Sequence, residues 1–236
     1  MTGKRFLLIK TKTDFILGIA ILLLTLPFTL LVSILLTILL KSPPIIIQER
    51  GITGENKTFK IYKFKTIKPG KVKNNSAEDN ILYKPHMAAY IPAFCRWLRK
   101  SGLDELPQII NVLKGEMSLI GPRPLMISDL EIMKSRFPEY YSMRNRIKVK
   151  PGITGLWQVS GNREEGIENL IRFDLEYDRM ISFSLDMKIF FSTLPLIIKG
   201  KHSDAIILEM WKSIPLKKGS KSFNDTQLIN NIYCKG

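Results

Sequence analysis

Cysteine and histidine are almost missing from this sequence. The two cysteines, Cys95 and Cys234, stand 139 residues apart, and the only histidines are His86 and His202. A disulfide framework is therefore excluded as the organiser of the fold, and a reducing compartment is the default. Too few nitrogens and thiols remain for a zinc site or a histidine-centred triad, so the chemistry falls to carboxylates. Gly-rich phosphate loops of the two common types are absent. So is any repeat with a period of about 20 to 50 residues, which excludes a solenoid.

Acidic residues are also scarce: 21 Asp and Glu face 36 Lys and Arg, a formal net charge of +15. The composition, 45% hydrophobic and 24% charged, excludes a disordered tail, a collagen and a coiled coil. The 236 residues suffice for one core, or for a modest domain plus a membrane element. A positive excess alone fits nucleic acid, an anionic membrane surface and phosphate-bearing substrates equally well. Position along the chain separates them.

From Phe15 to Leu40 there are 26 residues without a charge, enough helix at about 1.5 Å per residue to cross a bilayer core of about 30 Å. Leu39-Leu40-Lys41-Ser42-Pro43-Pro44 is no small-residue cleavage site, so the segment is expected to stay in the mature protein. Lys4, Arg5, Lys10 and Lys12 precede it, and Lys41, Arg50, Lys57 and Lys60 follow. With both flanks basic, the positive-inside rule gives no orientation, and both ends are compatible with the cytoplasm. Pro27, in the middle, removes one backbone hydrogen bond and clashes with the Leu23 carbonyl, which predicts a sharp bend; Thr25, Thr29 and Ser33 are at hand to satisfy the freed groups. Two readings stay open on these features: a re-entrant helical hairpin in one leaflet, which we favour, and a single kinked spanning helix.

After the membrane segment, Ile45-Ile46-Ile47-Gln48 and Phe59 to Lys65 flank a Gly-containing stretch. Apolar and basic residues alternate in the return segment, which predicts a β-hairpin with one cationic face. Nine Lys/Arg and two acidic residues lie between Lys41 and Lys73, a placement that suits lipid headgroups or a surface-held anion. Residues 68–84 read as a loop. Residues 89–100, with Pro92 at the start and Tyr90, Phe94 and Trp97 among arginines, predict a helix at the membrane–water interface or in the core. Phe183 to Ile198 predicts a second amphipathic helix, too short and too polar to span.

The segment Ser101 to Gly115 has a helix design: Asp104 and Glu105 early, Pro107 near the first turn, apolar residues at helical spacing, then Lys114 and Gly115 as stop signals. Ionised carboxylates at that end gain roughly 0.3–1 kcal/mol from the helix dipole. Adjacent carboxylates face different ways on a helix, so a nucleophile beside an ion ligand fits better than a shared-proton pair. Plain charge decoration of a first turn fits the same spacing. Arg123, between Pro122 and Pro124, is a guanidinium on a rigid turn, a fork suited to phosphate. The loop Lys150 to Gln158 combines close-approach glycines with Trp157 and the Gln158 amide; it reads as a nucleotide or sugar cradle or as a structural turn.

Five segments in order, Phe59 to Lys65, Leu103-Asp104-Glu105-Leu106-Pro107-Gln108, Asn111 to Ser118, Gly121-Pro122-Arg123-Pro124 and Pro151-Gly152-Ile153-Thr154-Gly155, resemble the bacterial sugar transferases, the monotopic phosphoglycosyl transferases. The resemblance covers about Asp14 to Lys199. It implies transfer of a sugar 1-phosphate from a UDP-sugar to undecaprenyl phosphate, with release of UMP and use of Mg²⁺. It implies further that Asp104 is the nucleophile and Glu105 its neighbour in metal binding, both carboxylates lying beside the ion. Lys63, Arg99 and Arg123 would support the transferring phosphoryl group, Asp174 would position the ion or these cations, and Gln158 would contact the donor. The implied location is the cytoplasmic face of the bacterial inner membrane, with membrane lipid as a partner and no nucleic acid. Two positions depart from the family pattern: Leu26 stands before Pro27 where Ser is common, and Asn162 intervenes before Arg163.

The expected architecture is a membrane-associated α/β protein with an N-terminal re-entrant membrane hairpin, a small α/β catalytic domain and interfacial amphipathic helices. Its expected parts are 1–44 in the membrane, 45–200 catalytic, and a basic tail over 201–236. The competing reading from another class is a membrane-tethered basic protein that binds anionic lipid or nucleic acid.

Overall fold

A computed structural model describes residues 3–51, 58–68, 91–160 and 166–199. The predicted loop over 68–84, Arg163 and the tail over 201–236 lie outside the described residues, apart from Lys68 at the loop's edge. The first element, α1 (Gly3–Leu40), is a single helix of 38 residues that runs through Pro27 without interruption. Its apolar side chains mostly face outward: Leu24 is 81% exposed. No core claims them, which suits a hydrocarbon environment.

The helix is continuous through Pro27, the site of the predicted sharp bend. Proline deletes only one bond of the ladder, and apolar helices tolerate it. The nearby hydroxyls do not fill the gap. Thr25, Thr29 and Ser33 each spend their single proton on the carbonyl four residues back, those of Ile21, Thr25 and Thr29, so none goes to Leu23. Such back-bonding often bends helices.

Strand β1 (Ile45–Gly51) pairs antiparallel with β2 (Thr58–Phe64), Ile45 opposite Phe64 and Gly51 opposite Thr58. This is the predicted hairpin, but not its single cationic face. Lys60 and Lys63 are an odd number of residues apart, so the pleat sends them to opposite faces. Lys60 is exposed opposite Glu49, whereas Lys63 is buried.

Helix α2 (Ala93–Ser101), capped by Pro92 as expected, is followed by a 3₁₀ helix over Leu103–Gln108 and by α3 (Ile109–Leu113). Strand β3 (Ser118–Ile120) runs parallel to β5 (Gly152–Thr154), while β4 (Leu125–Met126) joins the free edge of β1. Between them lie α4 (Ile127–Arg136) and α5 (Pro138–Arg144), and α6 (Leu156–Ser160), α7 (Gly166–Met180) and α8 (Phe183–Lys199) follow. The architecture is thus mixed helix and sheet with one long apolar helix.

Three apolar clusters hold it together. One gathers Ile61, Ile109, Val112, Ile120, Tyr177 and Ile189 around the 3₁₀ helix and β3. A second joins α4, α5, α6 and α7 through Met133, Trp157 and Leu170. The third docks the last turns of α1 on β2 and α2, with Val32, Leu36, Phe64, Cys95 and Leu98. Each such side chain contributes roughly 1.5–3 kcal/mol when fully buried. Helix α8 buries Asp186, Ile189 and Thr193, while Phe183, Phe191 and Ile198 are exposed together with Lys188 and Ser192. Large apolar side chains beside polar ones on the exposed surface suit an interfacial helix.

Candidate active site

Helix α2 stops at Gly102, whose φ of 74° lies in the left-handed region open to glycine and whose N–H caps the Arg99 carbonyl. The chain then tightens into the 3₁₀ helix rather than the predicted α-helical first turn. Pro107, inside this turn, offers no N–H to it. The Glu105 carboxylate is held by neighbouring side chains more than by a long helix dipole. With about three residues per 3₁₀ turn, consecutive side chains diverge widely. Glu105 points inward and is 4% exposed, while Asp104 is half-buried. The two carboxylates do face different ways.

Glu105 meets two cations. Lys63 Nζ donates to its Oε1 at 2.6 Å, and Arg123 Nη2 lies 3.7 Å from the same oxygen. All three side chains are buried. A charge so enclosed is stable only with partners, which makes the trio interdependent. Lys63 is placed by Asn111, whose fully buried amide spans the gap to β2. Asn111 Nδ2 donates to the Lys60 carbonyl at 2.6 Å and to Glu116 Oε2 at 2.7 Å, and Oδ1 accepts the Tyr62 N–H.

Arg123 is gripped through its backbone. Arg144 donates to the Arg123 carbonyl and pairs with Asp174, and Asp174 accepts the Arg123 N–H. Burial pushes the Asp174 carboxyl above the usual carboxylate range, against the pull of Arg144 and Arg123. Asp174 is 2% exposed, so it is placed to orient Arg123 rather than to meet a substrate. The Gly121–Pro124 turn packs backbone against backbone on the Pro151–Gly155 loop: the Gly121 N–H donates to Thr154 and the Gly152 N–H to Pro122. A Cβ on Gly155 would lie 2.1 Å from the Gly121 carbonyl oxygen. Of the two readings of that glycine loop, the structural turn fits, because protein backbone fills the close-approach space.

Lys63, Glu105 and Arg123 are brought together, Asp174 stands behind them, and Asp104 shares the turn. Arg99 is half-buried on α2 and donates to Thr66 Oγ1 at 3.3 Å, outside that ion cluster. Gln158 is buried on α6, with both amide atoms lacking a hydrogen-bond partner. Sequence reasoning missed Arg144 and the clamp role of Asn111. The only signal for Arg144 was indirect: Asp174 lies between Phe173 and Leu175 on an amphipathic helix, and an acid buried there demands a cation.

Among the described residues no group of three or more His, Cys, Asp or Glu side chains can hold a metal. The donor set still fits Mg²⁺, which takes one or two carboxylates and completes its shell with water and substrate phosphates. Asp104 and Glu105, on one tight turn, would be those carboxylates.

Comparison with known proteins places this geometry. The exopolysaccharide production protein ExoY of Sinorhizobium fredii is 33% identical over 65% of this chain and 70% of its own length. The UDP-glucose:undecaprenyl-phosphate glucose-1-phosphate transferase of Escherichia coli is 37% identical over 79% of this chain and 39% of its own. The undecaprenyl-phosphate galactose phosphotransferase of Salmonella typhimurium is 33% identical over 84% of this chain. The chain thus spans about two fifths of the length of the latter two proteins. The family described as bacterial sugar transferase matches residues 5–200, which takes in α1, the 3₁₀ helix and the Lys63–Glu105–Arg123 cluster, and on that match the chain belongs to the bacterial sugar transferase family.

Proposed function

We propose that this protein transfers a sugar 1-phosphate from a UDP-sugar to undecaprenyl phosphate at the cytoplasmic face of the inner membrane. The observation that carries the proposal is the tight turn of Asp104 and Glu105 with buried Lys63 and Arg123 against Glu105. A basic binding surface would leave its cations in water, and these two are buried.

The reaction proceeds in two steps. A carboxylate oxygen of Asp104 attacks the phosphorus that bears the sugar; the pyrophosphate bond breaks and UMP leaves with the electron pair. A phosphate oxygen of the carrier then attacks the aspartyl-bound phosphorus, forming the lipid pyrophosphate and freeing Asp104. Splitting one displacement into two lowers the barrier of each. Lys63 and Arg123 are charge partners ready for the transferring oxygens, and their fixed positions avoid reorganisation during the reaction. Arg99, half-buried at the end of α2, is available to a donor phosphate, and the unpartnered Gln158 amide is available to the donor. Asp104 and Glu105 would hold the magnesium ion, which would supply charge neutralisation at the phosphates.

The membrane helix is read as re-entrant. Lys10 pairs with Asp186 of α8 and Asp14 accepts from Ser118 of β3, while Leu36 and Leu40 are buried against the same soluble unit. A straight helix carries these contacts about 45 Å apart at 1.5 Å per residue, more than the roughly 30 Å bilayer core. A domain on one side of the membrane reaches both ends only if the helix returns to that side or lies along it.

Asp104→Asn tests the chemistry. The parent enzyme, given UDP-sugar without acceptor, should gain the mass of a sugar phosphate on Asp104 and release one equivalent of UMP; the variant should do neither while keeping its membrane binding. Turnover at the parent rate in the variant removes Asp104 from the mechanism.

A further inference from the structure

The face of the hairpin that carries Lys63 carries a second buried cation. Register sets Ile46 opposite Lys63, Gln48 opposite Ile61 and Arg50 opposite Phe59, and opposed residues of a pleated pair emerge on one face. Arg50 is buried there, its Nη2 donating to Gln48 Oε1 at 3.0 Å. Along the other edge of β1, Arg50 stands opposite Met126 of β4, three positions beyond Arg123. The Met126 N–H donates at 3.4 Å to Oδ2 of Asp129, in the first turn of α4. Asp129 is buried too. Burial pushes its carboxyl above the usual carboxylate range, against the pull of Arg50, of that N–H and of Arg123.

Lys63, Glu105, Arg123, Asp129 and Arg50 thus form a row of buried charges that alternate in sign. The phosphoryl transfer proposed for Asp104 calls on the first three and gives the last two no task. Stability alone is a weak reason to keep them, since apolar side chains of the same volume often serve a core as well. Their place beside Arg123 supplies a stronger one. An acid next to a phosphate-binding guanidinium fixes it, yet competes with the phosphate for its charge; a cation next to that acid removes the competition. Glu105 is the weaker anchor, because its Oε1 lies 2.6 Å from Lys63 and 3.7 Å from Arg123. We propose that Asp129 and Arg50 are positioning residues for Arg123: Asp129 holds the guanidinium in place, and Arg50 offsets the Asp129 charge so that Arg123 keeps its pull on the donor's phosphates. Without Arg50, Asp129 draws on Arg123 and donor binding weakens. Without both, the competition ends, although the guanidinium is held less firmly. Opposite signs of this kind mark a charge balance rather than packing.

This inference rests on the proposed transferase reading, and the first half-reaction separates the two. The full-length parent in nanodiscs would be given a panel of UDP-sugars without acceptor, and the donor with the largest UMP burst would be used for every variant. Burst amplitude reports the folded fraction, and the half-saturating donor concentration reports the hold on the phosphates. Arg50→Met should raise that concentration about tenfold. Arg50→Lys, which keeps the charge, should stay within about threefold of the parent. Adding Asp129→Asn to Arg50→Met should recover most of the loss, while the rate at saturation stays about fivefold below the parent. A structural role alone would lower the amplitude and leave the half-saturating concentration where it was. That result, or a double variant that binds donor no better than Arg50→Met, overturns the assignment alone. Loss of the burst in Arg50→Met passes the decision to Asp129→Asn, where half-saturation at or below the parent value supports the charge balance and a raised value overturns it. Absence of UMP release and of adduct in the parent across the panel overturns the transferase reading and the assignment with it.

Discussion

Lys63 Nζ lies 2.6 Å from Glu105 Oε1, although the two residues stand 42 positions apart in the chain. Both side chains are buried, so the pair joins the hairpin to the 3₁₀ helix as much as it prepares a charged site.

Lys63→Met should therefore cost both stability and activity. It leaves the Glu105 carboxylate with Arg123 at 3.7 Å as its remaining ion-pair partner in the cluster. A buried charge so stripped costs about 3 kcal/mol, and turnover should fall by about 10²-fold or more, as for loss of one preorganised donor. Adding Glu105→Gln should restore much of the stability and none of the activity. Thermal unfolding in detergent together with UMP release checks this; a double variant no more stable than Lys63→Met contradicts the interdependence.

Arg144→Met should destabilise in a pH-dependent way. Asp174 loses its guanidinium, at a cost of about 3–5 kcal/mol near neutrality. Its carboxyl already titrates above the usual range through burial, and loss of Arg144 raises it further. A folded state that holds a proton the unfolded chain has released loses stability as pH rises between the two pKa values. The deficit of the variant relative to the parent should thus be smaller at pH ~5 than at pH ~8. The KM for the donor should rise as well, because the Arg123 carbonyl loses its anchor. A deficit independent of pH would mean that Asp174 does not take up a proton.

Gly121→Ala should unfold the loop pair around Arg123. The new Cβ would stand 2.3 Å from the Lys150 carbonyl oxygen and 2.8 Å from the Gly152 nitrogen, both backbone atoms with no room to move. A cost of about 3 kcal/mol is expected. Gly18→Ala on α1 is the contrast: its Cβ meets the end of the Leu113 side chain at 3.2 Å, which can turn aside, and alanine adds up to about 1 kcal/mol of helix propensity. Comparable losses in the two variants, measured by thermal unfolding, would count against the backbone-contact account.

Cysteines placed at Lys12 and Lys41, in a protein whose native cysteines are replaced, should both react with a membrane-impermeant maleimide in inverted vesicles. Neither should react in intact spheroplasts. Both positions are exposed at the two ends of the apolar run. Labelling of one position from each side would establish a spanning helix and remove the re-entrant reading.

Local sequence was enough for most elements. The hairpin alternation, Pro92 at the start of α2 and the run of α8 are patterns of near neighbours, and each became the expected strand or helix, while the uncharged stretch of α1 became one long helix. The 3₁₀ helix at Asp104 and Glu105 escaped because stop signals and apolar spacing are shared by α and 3₁₀ turns.

Residue chemistry alone turned attention to carboxylates and cations in place of thiols or imidazoles, and marked the long uncharged segment at the N-terminal end. Tertiary structure decided which cation faces which acid. Strand register buried Lys63 and left Lys60 in water, and α5 and α7 brought Arg144 to Asp174 across 30 residues. Buried ion pairs depend on close distance and low dielectric, and both arise only when segments remote in the chain close around the same few atoms.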